Sequence, residues 1–248
     1  MPGKFFVDSE KPNALVTGAS RGIGKAIAHV LAAEGYDLIL TCKSSIGELE
    51  KFAEELSEKY GISVCAERVD MSSSSDVREL FEGITDLDLL VNNAGISHIG
   101  LLQDMTDDEW DEVMGTNLSS AFYTCRAAIP LMLKNKSGRI LNISSVWGNV
   151  GASLETAYSA SKGGINAFTK ALAKELAPSG IAVNALACGV VDTDMNNAFS
   201  DEDMQALKNE IPMGRITTPE EVASQALLII KSPMYMTGQI ITIDGGWT

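Results

Sequence analysis

Short apolar runs alternate with longer segments of helical periodicity along the whole chain, and this alternation limits the possible folds more than any other feature. An apolar run of strand length without interrupting polar residues is typical of a strand buried on both faces of a sheet. Strands and helices that alternate in this way build one parallel sheet covered by helices on both faces. We therefore predict an α/β fold, a single-domain Rossmann-type doubly wound parallel sheet, over residues 1–248. Its strands are predicted at Ala14–Val16, Asp37–Thr41, Ser63–Val69, Leu87–Asn92, Arg139–Ile143, Ile181–Ala185 and Gln239–Ile243.

Helical periodicity fills most of the intervals between these seven predicted strands. The helices are predicted at Ile23–Gly35, Ile46–Tyr60 and Ser74–Ile84, from about Asp107 onward as one long helix, and at Ala157–Ala177. Two segments stand apart from the pattern. Residues 1–12 form an N-terminal extension before the first strand, and Val190–Pro219 is the long irregular insertion. We expect residues 190–219 to be a mobile segment that carries a short helix and covers a substrate.

The charge balance disfavours polyanionic partners. With 19 basic and 33 acidic residues the net charge is −14, whereas proteins that bind nucleic acid or anionic membranes need the opposite sign. No apolar run is long enough to span a bilayer, and the start of the chain has no apolar core of signal-peptide length. The four cysteines are dispersed and the two histidines are far apart, which disfavours disulfides and a metal site. We expect a cytoplasmic protein without a metal.

Tyr158 and Lys162 form the most informative pair of side chains. Four residues apart on a helix, they meet on one face. A phenol has an ordinary pKa of about 10. A fixed ammonium beside it would lower that pKa and make the phenol a usable proton donor and acceptor. The alternative is a surface lysine that follows a half-buried tyrosine. Against that alternative, Lys162 shares its face of the helix with Ile165, Thr169, Leu172 and Leu176.

A glycine-rich turn, Thr17–Gly24, follows the first strand and opens the first helix. Glycines let the backbone approach a pyrophosphate, which the free N–H groups of a helix N-terminus can hold. The alternative is an ordinary turn between a strand and a helix. The same stretch, Gly18–Gly22, also matches the G-x-S-x-G elbow of serine hydrolases. A hydrolase of that kind needs a histidine late in the chain, and the last one here is His98.

The end of the second predicted strand should determine which dinucleotide binds. An acidic residue there binds the ribose 2′-hydroxyl of NAD, whereas a cation accommodates the 2′-phosphate of NADP. This chain has Lys43 and no carboxylate at that position, and Arg21 of the glycine-rich turn can reach the same place. The residues therefore favour NADP(H), with a merely solvated Lys43 as the alternative.

Three further polar side chains are candidates for chemistry. Asn117 falls in the middle of an apolar helical stripe, and a buried amide must be hydrogen-bonded. It either bonds neighbouring backbone or acts as a catalytic or water-organising group. Ser144 and Ser145 directly follow the fifth predicted strand, and either could bond a substrate oxygen or simply cap the turn. The stripe around Asn117 is formed by Trp110, Val113, Met114, Ala121, Phe122 and Cys125.

Polar or glycine residues follow each of the first six predicted strands. In open α/β sheets the ligand crevice lies outside the carboxyl ends of the strands, so these residues should converge on one site. They are Gly18, Lys43, Asp70, Asn92, Ser145 and Gly189.

Taken together, these residues resemble the short-chain dehydrogenase/reductase family, and the likeness covers nearly the whole chain. The ordered set that carries it is Thr17–Gly24, Asp70, Asn92–Gly95, Asn117, Ser145, Tyr158 and Lys162. The resemblance implies that Tyr158 is the general acid/base, that Lys162 lowers its pKa and binds the nicotinamide ribose, that Ser145 orients the carbonyl and that Asn117 holds a proton-relay water. Ser145 is preferred to Ser144 because it lies thirteen residues before Tyr158.

The resemblance also implies a set of residues that hold the cofactor. Among them Asp70 contacts the adenine and Asn92 anchors the cofactor from the fourth strand. The full set is Gly18, Ser20, Arg21, Gly22, Ile23, Gly24, Lys43, Asp70, Asn92, Ala94, Gly95, Tyr158, Lys162, Gly189, Val191 and Thr193.

Within that family the chain is most similar to the 3-oxoacyl-[acyl-carrier-protein] reductases, on the segments Ile211–Arg215, Met236–Gln239 and Asp244–Gly246. This implies NADPH-dependent reduction of a carbonyl in fatty acid synthesis, by a homotetramer. A reductase of a sugar, quinone or other small ketone is the alternative, and a non-catalytic cofactor sensor is a more remote one. Cys188 departs from the family pattern, which has proline before Gly189, and the net charge of −14 disfavours docking of an acidic carrier unless Lys134, Lys136 and Lys174 compensate.

Overall fold

The computed structural model describes residues 11–196 and 200–248. Seven parallel strands form one sheet, as the alternation in the sequence predicts. They are β1 (Asn13–Val16), β2 (Asp37–Cys42), β3 (Val64–Arg68), β4 (Leu89–Asn92), β5 (Gly138–Ser145), β6 (Ile181–Cys188) and β7 (Ile240–Ile243). Their spatial order is β3-β2-β1-β4-β5-β6-β7. The order reverses between β1 and β4, and a sheet of this topology opens a ligand crevice at that point.

Helices cover both faces of the sheet, which confirms the predicted doubly wound architecture. They are α1 (Gly22–Ala33), α2 (Ile46–Tyr60), α3 (Ser74–Glu82), α4 (Asp107–Met114), α5 (Ser120–Asn135), α6 (Trp147–Val150), α7 (Thr156–Leu176), α8 (Asp201–Glu210) and α9 (Pro219–Lys231). The apolar residues of α1, α2 and α9 pack on one face, and those of α3, α5 and α7 on the other. Successive strand residues point to opposite faces, so Val16 joins the first core and Leu15 the second. This explains why the central strands are mostly apolar on both faces, whereas β3 and β7 at the edges of the sheet are only partly buried.

The single long helix predicted from Asp107 is instead two helices joined by a π-helical turn, Gly115–Ser119. The extra residue in such a turn shifts the phase of the helix and re-aims the side chains within it. The predicted apolar stripe is therefore broken. Trp110 and Phe122 are 36% and 44% exposed, whereas Val113 and Cys125 are buried.

Backbone hydrogen bonds join the two ends of the insertion after β6. The Asp192 N–H donates to the Thr217 carbonyl at 2.9 Å, and the Thr217 N–H donates to the Val190 carbonyl at 3.2 Å. The predicted short helix is present as α8. The predicted mobility of residues 190–219 stays a prediction, and most of the predicted extension, residues 1–10, lies outside the described residues. Within the part of the chain that the structure describes, every helix is too short or too polar to span a bilayer.

Candidate active site

The glycine-rich turn lies against the segment after β4, and only glycines fit this contact. A Cβ on Gly18, which has a φ of +64°, would lie 2.9 Å from Ala94 Cα. A Cβ on Gly24 would lie 2.4 Å from the Gly18 carbonyl oxygen. The side-chain amide of Asn93 holds the turn by donating to the carbonyls of Thr17 and Gly18 at 2.9 and 3.0 Å. The sequence motif included Asn93 and Thr17, but our sequence reasoning assigned neither of them a role.

The first N–H groups of α1 are open to a ligand. The helix begins at Gly22 after an extended Arg21, no side chain caps it, and its first turn contains no acidic residue. Ser20 is half-buried within the same turn, and Ile23 packs partly against the core. An uncapped helix N-terminus that follows a glycine cradle fits the pyrophosphate of a dinucleotide.

The part of the site where the sequence predicts the adenosine of a cofactor is charged and exposed; it is called the adenosine end below. Lys43 Nζ lies 2.9 Å from Asp70 Oδ2, and Lys43 retains 59% of its side-chain exposure. The hydrogen bond to Asp70 raises the pKa of Lys43. Burial alone would raise the pKa of Asp70, but hydrogen bonds from Ser72 and Lys43 outweigh it and lower the pKa. Arg21 pairs with Asp194 of the insertion at 3.6 Å, and its predicted reach to the place of Lys43 stays a prediction.

Asn92 is buried and its side chain is occupied by the protein itself. Its amide donates to Asn142 Oδ1 at 2.9 Å and to Cys125 Sγ at 3.4 Å, and its oxygen accepts from the Thr124 hydroxyl at 2.7 Å. Asn142 in turn donates to the Thr169 hydroxyl at 2.8 Å. This network joins β4, β5, α5 and α7 beneath the crevice. The side chain of Asn92 therefore supports the site from below, and the cofactor contact expected of Asn92 stays a prediction.

Asn117 lies in the π-helical turn with its amide fully bonded. Its oxygen accepts from the Ile96 N–H at 2.8 Å, and its NH₂ group donates to the Ile96 carbonyl at 2.9 Å and to the Ser161 hydroxyl at 3.0 Å. A Cβ on Gly95 would lie 3.2 Å from Asn117 Oδ1 and 3.5 Å from Lys162 Nζ. Gly95 therefore lets the amide and the ammonium approach each other. The geometry shows the backbone bonding expected of a buried amide, and the catalytic or water-organising role of Asn117 stays a prediction.

The two adjacent serines at the end of β5 have different roles. The Ser144 hydroxyl faces α7 and donates to Asn166 Oδ1 at 2.6 Å, and Asn166 donates to Asn149 Oδ1 at 2.9 Å. Ser144 thus joins β5 to α7, and Asn166 joins α7 to α6. The Ser145 hydroxyl faces the crevice, accepts the Trp147 N–H at 3.2 Å and is hydrogen-bonded with Tyr158. The structure thereby agrees with the preference for Ser145.

Lys162 is buried, in agreement with its predicted position on the apolar face of α7. Its Nζ donates to the Ile143 carbonyl at 2.9 Å and lies 5.6 Å from the centre of the Tyr158 ring. Burial lowers the pKa of Lys162 to about 8. A lysine at this depth with a shifted pKa is typical of a functional site rather than of a solvated surface.

The pKa of Tyr158 moves in the direction opposite to our expectation. Burial raises it above its ordinary value, and the largest opposing influence is the hydrogen bond with Ser145. Lys162 does not lower it in the structure, because its ammonium is directed at the Ile143 carbonyl. The phenol is therefore neutral at physiological pH and can serve as a proton donor. Its hydroxyl contacts Ser145 within the crevice, so the constellation expected from the sequence is assembled.

Comparisons with known proteins agree with this constellation. The family model described as short chain dehydrogenase matches residues 12–204. The chain belongs to the short-chain dehydrogenase family. It is 42% identical over 236 residues to YmfI of Bacillus subtilis, an oxidoreductase without a characterised activity, covering 94% of this chain and 98% of that protein. It is also 42% identical over 239 residues to the 3-oxoacyl-[acyl-carrier-protein] reductase FabG of Aquifex aeolicus, covering 94% and 96%.

A solved structure from Agrobacterium tumefaciens, described as a candidate gluconate dehydrogenase, shares the fold. It superimposes with a TM-score of 0.89 at 34% identity, covering 95% of each chain. The chain is thus an oxidoreductase of a family that uses nicotinamide cofactors. Membership of the short-chain dehydrogenase family also excludes the alternative that Gly18–Gly22 is the elbow of a serine hydrolase. Among the described residues, no group of histidine, cysteine and acidic side chains could hold a metal.

The loop after β6 completes the crevice of this short-chain dehydrogenase. Cys188 pairs with Ser145 in the register of β5 and β6, and burial raises the pKa of its thiol to about 12. A neutral thiol thus stands where the family pattern has proline. Gly189 lies against Asp244, and Thr193 lies against Gly22, 3.2 Å from where a Cβ on that glycine would stand. Val191 is buried at the base of the insertion. Of the loop residues predicted to bind the cofactor, Thr193 therefore borders the glycine-rich turn, whereas Gly189 borders Asp244 near the C-terminus.

Proposed function

We propose that the protein is an NADPH-dependent reductase that converts a carbonyl to a hydroxyl, with a 3-oxoacyl-[acyl-carrier-protein] as its substrate. The observation that carries the proposal is the buried contact between Tyr158 and Ser145, with Lys162 beside them. A neutral phenol bonded to a serine hydroxyl presents two O–H groups at one place. Such a pair can orient a carbonyl oxygen and supply a proton to it.

Each residue of the constellation has a separate task in this proposal. A bound reduced nicotinamide supplies the hydride. Ser145 holds the carbonyl oxygen by a hydrogen bond, and Tyr158 donates a proton to that oxygen as negative charge develops there. Lys162 keeps a positive charge beside the reacting groups below pH 8, where its amine is protonated. Asn117 holds the 95–96 segment close to Lys162, which fixes the floor of the site.

The preference for NADPH rests on the cations at the adenosine end. Lys43 follows β2, where a NAD-binding protein would place a carboxylate, and Arg21 lies in the glycine-rich turn. Both cations already have carboxylate partners, Asp70 and Asp194. A 2′-phosphate would bind by joining Lys43 and by replacing Asp194 at Arg21, because a phosphate dianion competes well for an exposed guanidinium.

The 3-oxoacyl substrate is supported by relatives of that activity and by the segments Ile211–Arg215 and Met236–Gln239. Lys134, Lys136 and Lys174 are exposed, but they lie at the C-terminal ends of α5 and α7, next to the start of β5 and β6. That edge of the sheet is opposite Ser145 and Tyr158, so these lysines do not support docking of a carrier beside the site. A reductase of a sugar, quinone or other small ketone is the second candidate, and the likeness to a gluconate dehydrogenase structure favours it.

The proposal extends to the assembly and its place in the cell. A homotetramer in the cytoplasm is expected, built on the helices that carry Asn117 and Tyr158 and on the C-terminal strand. Exposed apolar side chains on α5 and α9, such as Phe122 at 44% and Leu228 at 65%, support such contacts. Light scattering of the purified protein tests this, and a monomer at micromolar concentration would contradict it.

One assay separates the candidate substrates. Purified protein is mixed with NADPH and a panel of 3-oxoacyl thioesters, keto sugars, quinones and small ketones, and loss of the reduced-cofactor absorbance is followed. We expect kcat/KM to be highest for 3-oxoacyl thioesters, and higher when they are attached to the carrier protein. A maximum on a keto sugar or quinone would favour the second candidate. Cofactor binding without turnover of any carbonyl would favour the sensor reading.

A further inference from the structure

The segment after β4 bridges two parts of the active site. At one end, both backbone groups of Ile96 are bonded to Asn117. At the other end, the Ser97 hydroxyl donates to Glu155 Oε1 at 2.6 Å, and the Gly100 N–H donates to the Leu154 carbonyl at 2.8 Å. The segment therefore holds the residues that immediately precede the helix of Tyr158.

A second set of hydrogen bonds links Asn117 to the helix of Tyr158. Asn117 donates to the Ser161 hydroxyl at 3.0 Å, and Ser161 donates to the Tyr158 carbonyl at 2.7 Å. Glu155 belongs to the same helix start, since its carbonyl accepts the Ser159 N–H at 2.8 Å. The catalytic tyrosine is thus enclosed by hydrogen bonds that run through Asn117 on one side and through Glu155 on the other.

Glu155 lies at the N-terminal boundary of α7, but the helix does not use its carboxylate as a cap. It is the N-cap residue of α7, yet its side chain makes no capping hydrogen bond and is directed to Ser97 instead. Glu155 lies three residues before Tyr158 in the chain, and its charge acts to raise the pKa of the Tyr158 phenol. Both Ser97 and Glu155 are half-buried, which reduces the screening of that charge by water.

The other groups that face the phenol carry no negative charge at physiological pH. Cys188, from β6, is a thiol whose pKa is raised to about 12, and Ser145, from β5, is a neutral hydroxyl. Lys162, on the same helix, lies 5.6 Å from the ring centre and is bonded to a backbone carbonyl. His98, beside Ser97, is turned towards Glu109 at 3.9 Å. Among the groups that act on the phenol in the described residues, Glu155 is the carboxylate.

We propose that Glu155 is a positioning residue for the reaction, which holds the start of α7 through Ser97 and places a fixed negative charge near Tyr158. The inference rests on the proposed reductase function. Negative charge near a phenol opposes its ionisation, so Glu155 adds to the effect of burial and widens the pH range over which Tyr158 is a proton donor. The reverse oxidation, which needs the phenolate as the base, then begins only at higher pH.

The test compares Glu155→Gln with the parent protein by two readouts. The first is the ionisation midpoint of Tyr158, followed by the ultraviolet difference absorbance of phenolate with Tyr158→Phe as the blank. The second is the pH profile of NADP⁺-dependent oxidation of the hydroxyl product. Glutamine keeps the size of the side chain and its hydrogen bond to Ser97 but removes the charge. We expect both the midpoint and the rising limb of the profile to move to lower pH, by roughly one pH unit.

Two control variants separate charge from tethering. Ser97→Ala removes the tether and keeps the carboxylate, so we expect a lower kcat with a midpoint near that of the parent. Glu155→Asp keeps the charge on a shorter side chain and should resemble Ser97→Ala, and it replaces Glu155→Gln as the informative variant if the latter does not fold by circular dichroism.

The outcomes are separable. A midpoint in Glu155→Gln equal to that of the parent overturns the inference, as does a midpoint in Glu155→Asp that falls well below the parent value. If the parent protein reduces no carbonyl at all, the proposed function fails, while the phenolate midpoint still decides whether Glu155 acts on Tyr158.

Discussion

The two ends of the crevice are built on different principles. At the hydride end, the amide of Asn117 and the ammonium of Lys162 are buried and bonded to backbone or neighbouring side chains. At the adenosine end, Lys43 and Arg21 retain 59% and 75% of their side-chain exposure and are paired with carboxylates on the surface. The proposed function therefore places chemistry where groups are fixed before the substrate arrives, and cofactor selection where charges can exchange partners.

This difference has an energetic consequence. A buried polar group that loses its partner costs about 1–3 kcal/mol, whereas an exposed ion pair contributes about 0–1 kcal/mol. Substitutions at the hydride end should therefore change both turnover and folding stability. Those at the adenosine end should change only which cofactor binds and how strongly salt weakens it.

The largest effect is expected for Tyr158→Phe. It removes the proton donor and leaves the shape of the ring, so kcat should fall by about 10²–10⁴-fold while NADPH binding is retained. Steady-state kinetics and fluorescence titration of NADPH measure the two quantities. Near-normal turnover in this variant would mean that another group protonates the carbonyl oxygen, and the contrast between the two ends would lose its basis.

Asn117→Leu is expected to have a smaller effect than Tyr158→Phe, but on both folding stability and turnover. The substitution leaves the N–H and carbonyl of Ile96 and the Ser161 hydroxyl without their amide partner. The free energy of unfolding should fall by about 2–3 kcal/mol in urea titrations, and kcat should fall with it. Ser161→Ala, which removes one of the three bonds, should cost less. Full stability with normal kcat in Asn117→Leu would show that the hydride end is not held as its hydrogen bonds indicate.

At the adenosine end, Lys43→Ala should change cofactor preference and little else. Losing one exposed cation should weaken the binding of NADPH by about tenfold at low salt. The binding of NADH should hardly change, since only NADPH carries the 2′-phosphate. Dissociation constants for both cofactors at two salt concentrations measure this. Lys51→Ala, on the exposed side of α2, is the matched control for the loss of one positive charge. Equal weakening of both cofactors by Lys43→Ala would contradict a phosphate-binding role.

The sequence predicts the fold well because its periodicity reflects burial directly. Strands buried on both faces must be apolar throughout, and their positions follow from that requirement alone. The constellation at the hydride end was also predicted, down to the preference for Ser145. What decides between the two serines in the structure is the alternation along β5, which turns Ser144 towards Asn166 and Ser145 towards the crevice.

Other features of the site depend on geometry that residue spacing does not encode. The π-helical turn that carries Asn117 adds a residue to a helix whose sequence looks continuous, so the stripe through Trp110 and Phe122 was wrong. The direction of the Tyr158 pKa was also wrong, because it depends on burial of the phenol and on where the Lys162 ammonium points. The partner of Arg21 also depends on local geometry, since its pair with Asp194 is set by where the insertion after β6 lies.

The smallest effect is expected for Asp194→Asn, which frees Arg21 from its surface partner. The pair spans 3.6 Å with side-chain exposures of 75% and 58%, so its loss should change the free energy of unfolding by less than about 1 kcal/mol. NADPH should bind about two- to threefold more tightly, because Arg21 no longer exchanges a carboxylate for the 2′-phosphate. NADH, which has no such phosphate, should be unaffected.

Asp192→Asn is the matched control for Asp194→Asn. It removes the same charge two residues earlier on the same loop, where Asp192 is joined to Thr217 through its backbone. An equal gain in NADPH affinity for both variants would assign the effect to overall charge. A clear loss of stability in Asp194→Asn alone would mean that the adenosine end is held together as firmly as the hydride end, and the distinction between the two ends would then fail.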